Sequence, residues 1–349
     1  MIIHAYGAHA ADQPLVPLQI SRRTPGAHDV QIDIAFCGVC HSDLHQARGE
    51  WAGTHYPCVP GHEIVGRVSA LGASVSGLRV GDLVGVGCIV DSCRHCADCA
   101  EDLENYCDGM VGTYNFPTTD TPGHTLGGYS QRIVVDAHYV LRIRHGEAQL
   151  AAVAPLLCAG ITTWSPLRRW NIGPGKKVGI VGIGGLGHMG IKLARALGAH
   201  VVAFTTSESK REAARQLGAD DVVVTRNPQE MLAHLRSFDL ILNTVAAPHD
   251  LDALLVLLKR DACMTLVGAP ASAHPSPDVF NLITKRRAIS GSMIGGIRET
   301  QEMLDFCAEH GIVADIELIT AGQINQAFER MLAGDVQYRF VIDNATLAS

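Results

Sequence analysis

Residues 177–199 read KVGIVGIGGLGHMGIKLARALGA, and this stretch decides the fold of the second half of the chain. KVGIVGI is a short apolar run of the kind buried in a parallel sheet. Gly182-Ile183-Gly184-Gly185-Leu186-Gly187 follows it, and Leu186, Met189, Leu193 and Leu197 then recur on one helical face. A GxGxxG motif is weak by itself; a buried strand before it and a helix after it give it meaning. The glycines permit a tight turn and a close approach of backbone to a pyrophosphate. The helix N-terminus adds free N–H groups and a favourable dipole. The alternative is a glycine-rich turn with no ligand.

Downstream the same alternation continues. HVVAFTT, DVVVT, FDLILNTV, CMTLVGA and AISGSMI are five further strand candidates separated by helical stretches. Strand–helix alternation implies a parallel sheet covered on both faces, and six strands suit a doubly wound Rossmann domain. The end of the second strand reads the cofactor, with an acid for NAD or room and positive charge for NADP. Here Phe204 is followed by Thr205, Thr206, Ser207, Glu208, Ser209, Lys210 and Arg211. Hydroxyls and two cations favour NADP(H); Glu208 is the contrary residue. Lys210 and Arg211 can also be read as no more than a solvated helix face.

Upstream, the first 150 or so residues read as short strands and turns. VQIDIAFCGV alternates, which predicts Val30, Ile32, Ile34 and Phe36 on one buried face. Glycines punctuate GRVSALGASVSGLRVGDLVGVG as turns between strands would. The last 55 residues offer a helix, ETQEMLDFCAEHG, and a closing strand, YRFVID. The expected organisation is a β-rich domain over 1–152 and 295–349, with a cofactor-binding domain over 153–294.

Composition narrows the function classes. The chain has 349 residues, 47% of them apolar, and a formal net charge of -7. An acidic chain with no basic block is a poor partner for nucleic acid. No run approaches the roughly 18 apolar residues of a membrane span. The N-terminal stretch lacks the pattern of a signal peptide, so a cytoplasmic location is expected. Eleven cysteines in a reducing compartment point to metal ligation before disulfides.

Cys93, Cys96, Cys99 and Cys107 follow the pattern C-x2-C-x2-C-x7-C within the polar stretch DSCRHCADCAEDLENYC. Four thiolates so spaced can wrap one tetrahedral zinc and leave no open position, which makes such a metal structural. An iron–sulfur cluster uses similar spacing, but nothing else points to electron transfer. Three separate segments hold further candidate ligands: CGVCHSDLH with Cys40, GHEIVG with His62 and Glu63, and LLCAGITTW with Cys158. Taken singly, Cys40 or Cys158 is more often a core cysteine than a ligand.

Taken together and in this order, these motifs resemble the zinc alcohol dehydrogenases of the medium-chain dehydrogenase/reductase superfamily. The stretches EWAGTHYPCVPGHEIVG, LENYC, GGYSQ and FTTSESKREAA are most similar to its cinnamyl alcohol dehydrogenase-type, NADP-dependent aldehyde reductases, especially bacterial ones. The resemblance spans the chain and implies a GroES-like catalytic domain beside the Rossmann domain. It implies two zinc ions per chain: a catalytic one on Cys40, His62 and Cys158 with an open fourth position, and a structural one on Cys93, Cys96, Cys99 and Cys107. It assigns Asp43 to orienting the ligand histidine and Glu63 to a place behind the zinc or on it. Ser42 matches the hydroxyl that bonds the substrate oxygen, and His45 the end of the proton relay. His41 matches a residue facing the cofactor pyrophosphate, and Thr162 and Leu186 match residues touching the nicotinamide.

The implied reaction moves a hydride between NADP(H) and an alcohol/aldehyde pair, mainly as a broad-range aldehyde reductase, in a homodimer. A polyol dehydrogenase commonly carries Glu where this chain has Cys158. A protein that binds NADPH without turnover is the alternative from another class. Trp51 and Trp164 either line the substrate pocket or pack in the core. Cys37, Cys58, Cys88, Cys263 and Cys307 are read as small buried apolar residues.

Overall fold

The computed structural model describes residues 1–270 and 272–348. Two units emerge, one of residues 1–158 with 295 onward, the other of residues 159–294.

The second unit is built on a six-stranded sheet whose neighbouring strands are all parallel. Its spatial order is Asp221–Val224, His200–Thr205, Lys177–Val181, Phe238–Asn243, Leu258–Leu266, Ala288–Gly291. In chain order this is third, second, first, fourth, fifth, sixth, the doubly wound arrangement. Strands covered on both faces must be apolar throughout. Val178, Ile180, Val201, Val202, Phe204, Leu240, Ile241 and Leu242 are accordingly inaccessible to solvent. Of the expected helical stripe after the glycine turn, Met189 and Leu193 are fully buried. Leu186 and Leu197 cap the helix Gly187–Ala196 and are half-buried.

The first unit carries a seven-stranded sheet around one long strand, Asp29–Val39. It pairs with Ile64–Leu71, Arg132–Asp136 and Arg339–Asp343, all antiparallel. The simple alternation expected here fails at its end. The register against Ile64–Leu71 shifts between Ile34 and Phe36, a bulge that turns later side chains to the other face. Val30, Ile32 and Ile34 point inward as expected, but beyond the bulge Cys37 and Val39 are the buried residues and Phe36 is only half-buried. Helical turns between Glu147 and Leu157 bury Leu150, Val153, Leu156 and Leu157, so the first unit runs through Cys158. The C-terminal segment adds the expected helix Ile297–His310 and closing strand Arg339–Asp343. Between them lie a strand, Ile316–Thr320, and a helix, Ile324–Leu332, that were not expected. No single helix among the described residues is long and apolar enough to cross a membrane.

Candidate active site

The long strand ends at Val39, and Cys40 caps the helix His41–Ala47 that follows. The cap depends on Asp43, whose Oδ2 accepts the Cys40 N–H at 2.8 Å. The same carboxylate is fully buried, accepts Gly61 N–H at 3.1 Å and Tyr129 O–H at 3.0 Å, and faces His62 Nδ1 at 3.2 Å. One anion therefore fixes both the backbone that carries Cys40 and the ring of His62. The Tyr114 ring stacks on that imidazole at 5.6 Å. With Nδ1 committed to Asp43, Nε2 lies 4.0 Å from Glu63 Oε1.

Cys158 arrives from the end of the first unit, and its Sγ lies 4.0 Å from that of Cys40. One potential ligand atom from each of Cys40, His62, Glu63 and Cys158 lies within 4.8 Å of the others. Two thiolates on one tetrahedral zinc at Zn–S of about 2.3 Å stand roughly 3.8 Å apart, so the Cys40–Cys158 separation fits. A thiol donating to a neighbouring thiolate expresses the same preference: the Cys158 thiol holds Cys40 well below the ordinary thiol range. Glu63 Oε2 lies against Gly38 and is buried without a hydrogen-bond partner among the described residues. Its other oxygen pairs with the buried Arg339 guanidinium. Burial raises the Glu63 carboxyl to about 7 against the pull of Arg339.

Several of these partners were not evident in sequence. Arg339 is 276 positions from Glu63, and Tyr114 and Tyr129 meet His62 and Asp43 only in three dimensions. A Cβ at Gly38 would sit 1.9 Å from Glu63 Oε2, so that strand position has to be glycine for Glu63 to keep its place. Cys88 is corrected: it is half-buried rather than a core residue, and its thiol donates to the Leu157 carbonyl at 3.7 Å, one residue before Cys158. Cys37, Cys58, Cys263 and Cys307 are buried.

On the helix His41–Ala47, His41 is exposed while Ser42 and His45 are half-buried. Ser42 Oγ lies 3.7 Å from Cys40 Sγ. His45 Nδ1 meets Glu50 Oε2 at 2.5 Å, a partner the sequence did not announce, and its ring lies 5.8 Å from that of Trp51. Trp51 is 42% exposed and Trp164 only 3%.

The four-cysteine loop forms its own cluster, with the Sγ atoms of Cys93, Cys96, Cys99 and Cys107 all within 4.8 Å. Backbone amides point at the sulfurs: Cys96 N–H to Cys93 at 3.3 Å, Cys99 N–H to Cys96 at 3.5 Å, Cys93 N–H to Cys107 at 3.5 Å and Gly109 N–H to Cys107 at 3.3 Å. Amides of His95 and Cys96 bring Cys93 down to about 6, while Cys96 is raised to about 12 and Cys107 is raised as well, so one thiolate is held among neighbouring thiols that donate to it. Both cysteine clusters thus fit zinc by donor set and spacing.

In the second unit the glycine turn is shaped for a dinucleotide. A Cβ at Gly187 would lie 1.8 Å from the Gly182 carbonyl oxygen, whereas one at Gly184 would meet nothing within 4 Å. The first glycine lets helix and strand close together; the second leaves open space where a pyrophosphate can reach the backbone. Thr205 is buried and its Oγ1 accepts Ser207 N–H at 3.1 Å, so it shapes the turn. Thr206 and Lys210 are exposed, and Ser207 bonds Ser209 at 2.7 Å. Arg211 is held by Glu208 at 2.5 Å and Glu230 at 2.6 Å. Lys210 stays exposed, and Glu208, the contrary acid, is engaged with Arg211. Thr162 is buried in the helix Ala159–Arg169, which packs against Gly187–Ala196.

Comparison with known proteins agrees with this geometry. Residues 26–145 match the family described as alcohol dehydrogenase GroES-like domain, and residues 185–309 the family described as zinc-binding dehydrogenase. The chain is 75% identical over 347 residues to aldehyde reductase YahK of Escherichia coli, covering 99% of each. It is 54% identical over 350 residues to NADP-dependent alcohol dehydrogenase C 1 of Mycolicibacterium smegmatis, again covering 99% of each. The structure of a Sorghum bicolor cinnamyl alcohol dehydrogenase superposes with a TM-score of 0.94 at 43% identity, over 99% of this chain and 98% of that one. The chain belongs to the zinc-dependent alcohol dehydrogenases of the medium-chain dehydrogenase/reductase superfamily, in their cinnamyl alcohol dehydrogenase-type group.

Proposed function

We propose that this protein interconverts primary alcohols and aldehydes with NADP(H), acting mainly as a broad-range aldehyde reductase in the cytoplasm. The observation that carries the reading is the mutual approach of Cys40, His62, Glu63 and Cys158 within 4.8 Å. Cys40, His62 and Cys158 hold a catalytic zinc, and Glu63 stands behind it against Arg339. When bound, zinc supplies a Lewis acid for the carbonyl oxygen, and NADPH supplies the hydride.

The chain's own groups do the rest. Asp43 fixes the tautomer of His62 by accepting from Nδ1, which leaves Nε2 as the donor atom for a metal. Ser42, 3.7 Å from Cys40 Sγ, places its hydroxyl to give a proton to the product oxygen. His45 lies three residues on, on the same helix face. Glu50 holds its Nδ1, which leaves Nε2 as the nitrogen that ends the proton relay from Ser42. Gly182, Gly184, Gly185 and Gly187 seat the cofactor pyrophosphate, and Thr162 and Leu186 flank the nicotinamide. Thr206, Ser207 and Lys210 take the 2′-phosphate on a turn shaped by Thr205. Cys93, Cys96, Cys99 and Cys107 hold a second zinc whose binding contributes folding energy.

Replacing His62 or Cys158 with Ala should lower aldehyde turnover by well over a factor of about 100, since even residues that only orient a ligand cost this much. NADPH affinity, read by fluorescence titration, should survive. Near-normal turnover in either variant would sink the assignment.

The functional form we infer is a homodimer. The strand Ala288–Gly291 is an edge of its sheet and is not fully covered. The adjoining short helix exposes Val279 (57%), Phe280 (63%) and Ile283 (62%). An uncovered edge beside apolar side chains calls for a partner. Light scattering should return twice the chain mass of 37.2 kDa; the mass of one chain would refute the dimer.

A further inference from the structure

At the end of the parallel sheet opposite the glycine turn, three side chains form a chain of contacts unrelated to the reaction above. Lys177 is the first residue of its strand and is half-buried. Its Nζ lies 2.9 Å from His234 Nδ1, donates to Ser237 Oγ at 3.1 Å, and sits 4.8 Å from the centroid of the Phe238 ring. The other nitrogen of His234, Nε2, lies 3.4 Å from Asp221 Oδ2. An ammonium cannot accept a hydrogen bond, so Nδ1 must be the accepting nitrogen and Nε2 carries the proton toward Asp221. A neutral imidazole oriented by a carboxylate and aimed at a nucleophile is the logic of an activated side chain.

We propose that Lys177 is a site of Nε-acylation by acyl phosphates, with His234 as the base that accepts the ammonium proton and Asp221 as the carboxylate that holds His234. The proton moves from Nζ to Nδ1, and Asp221 balances the imidazolium. The freed amine lone pair attacks the acyl carbon, the bond from that carbon to the phosphate oxygen breaks, and phosphate leaves with the electron pair. An amide forms, and the protons displaced from the ammonium pass to phosphate and solvent; nothing is oxidised or reduced.

The surroundings favour this. Burial, assisted by the Lys259 charge and opposed by Asp221, lowers Lys177 below the ordinary lysine range. Burial and the Lys177 charge hold His234 below its usual value, with His200 acting in the same sense and Asp221 against it, which weakens the ring as a base but keeps it neutral, with Nδ1 open to accept from Nζ. Desolvation beside another cation is how lysines become nucleophiles. Lys176 and Lys259 both pair with Asp239, and His200 faces Asp220 at 3.6 Å, so the neighbouring charges are paired among themselves and Lys177 keeps His234 as its ring partner.

The test uses the full-length, zinc-loaded protein and acetyl phosphate, with peptide mass spectrometry following all six lysines: Lys176, Lys177, Lys192, Lys210, Lys259 and Lys285. Lys177 should be acetylated about fivefold faster than its neighbour Lys176 at neutral pH, a modest enrichment in free amine. His234→Gln should bring it down to the level of Lys176. Asp221 is 49% exposed, so Asp221→Asn tests the same link with little risk to folding and should also slow the reaction. Unchanged rates at Lys192 and Lys285 report an intact fold. A Lys177 rate no higher than that of Lys176, or one that stays high in both variants, would overturn the proposal.

Discussion

The Asp43 carboxylate accepts from three donors, faces a fourth ring nitrogen, and has no solvent to share its charge. Asp43→Asn keeps the size but replaces an anion that only accepts with an amide that presents two N–H groups to donors. The variant should lose zinc from the His62 cluster to a chelator at about 10- to 100-fold lower competitor concentration, with aldehyde turnover falling in step. Unchanged chelator resistance would show that Asp43 serves only the helix cap. At this scale the sequence was informative where residue type and spacing carried the chemistry. Cys40, His62 and Cys158 lie far apart along the chain, and only the order of their motifs united them. Arg339, Tyr114, Tyr129, Glu50 and Gly38 were not readable, because each matters through a contact that folding creates.

The four-cysteine loop is coupled to a distant helix through Glu104. That side chain is 2% exposed; one oxygen accepts Ile297 N–H at 3.0 Å, at the start of the helix Ile297–His310, and the other meets His138 Nε2 at 3.0 Å. Burial works against its charge, but the Ile297 amide and the His138 ring together hold the carboxyl below its ordinary value of 4.5. A depressed carboxyl stabilises the fold fully above the unfolded-state pKa, and that contribution disappears as pH falls through the lower folded value. Glu104→Gln should therefore cost roughly 1–3 kcal/mol near neutral pH, seen as earlier thermal unfolding. The deficit should shrink as the pH is taken below 4.5. A deficit independent of pH would contradict this account of the carboxylate. Elements were legible where their period was clean. All six parallel strands could be read: burial on both faces demands apolar runs in the inner ones, and the half-covered edge strand Ala288–Gly291 followed from the continuing strand–helix alternation. The Phe36 face was misread because a bulge adds a residue without any mark in the residue types. The helix Ile324–Leu332 carries Ile324, Ala327, Phe328 and Met331 on its buried face, a readable helical period, although only the helix before it and the closing strand were expected.

For the molecule as a whole, the two units divide the chemistry. One gathers both cysteine clusters, the other the glycine turn and the hydroxyl-rich end of the second strand. The two-part architecture was legible because the hydrophobic period changes near residue 175, from short alternating runs to strand–helix repeats. Choice of cofactor was less legible, since Glu208, Lys210 and Arg211 lie together and composition alone cannot say which of them faces a ligand. The pairing of Arg211 with Glu208 and Glu230 removes one cation and the contrary acid together, leaving Lys210 with Thr206 and Ser207. The central claim is an NADPH-linked aldehyde reductase, and the most direct test is the initial rate of NADPH against NADH oxidation by the zinc-loaded protein with cinnamaldehyde. NADPH should be oxidised rapidly and NADH at a rate lower by about tenfold or more, the worth of one charge-assisted contact. Equal or reversed rates would contradict the phosphate site at Thr206, Ser207 and Lys210, and no oxidation of either cofactor would contradict the reaction itself.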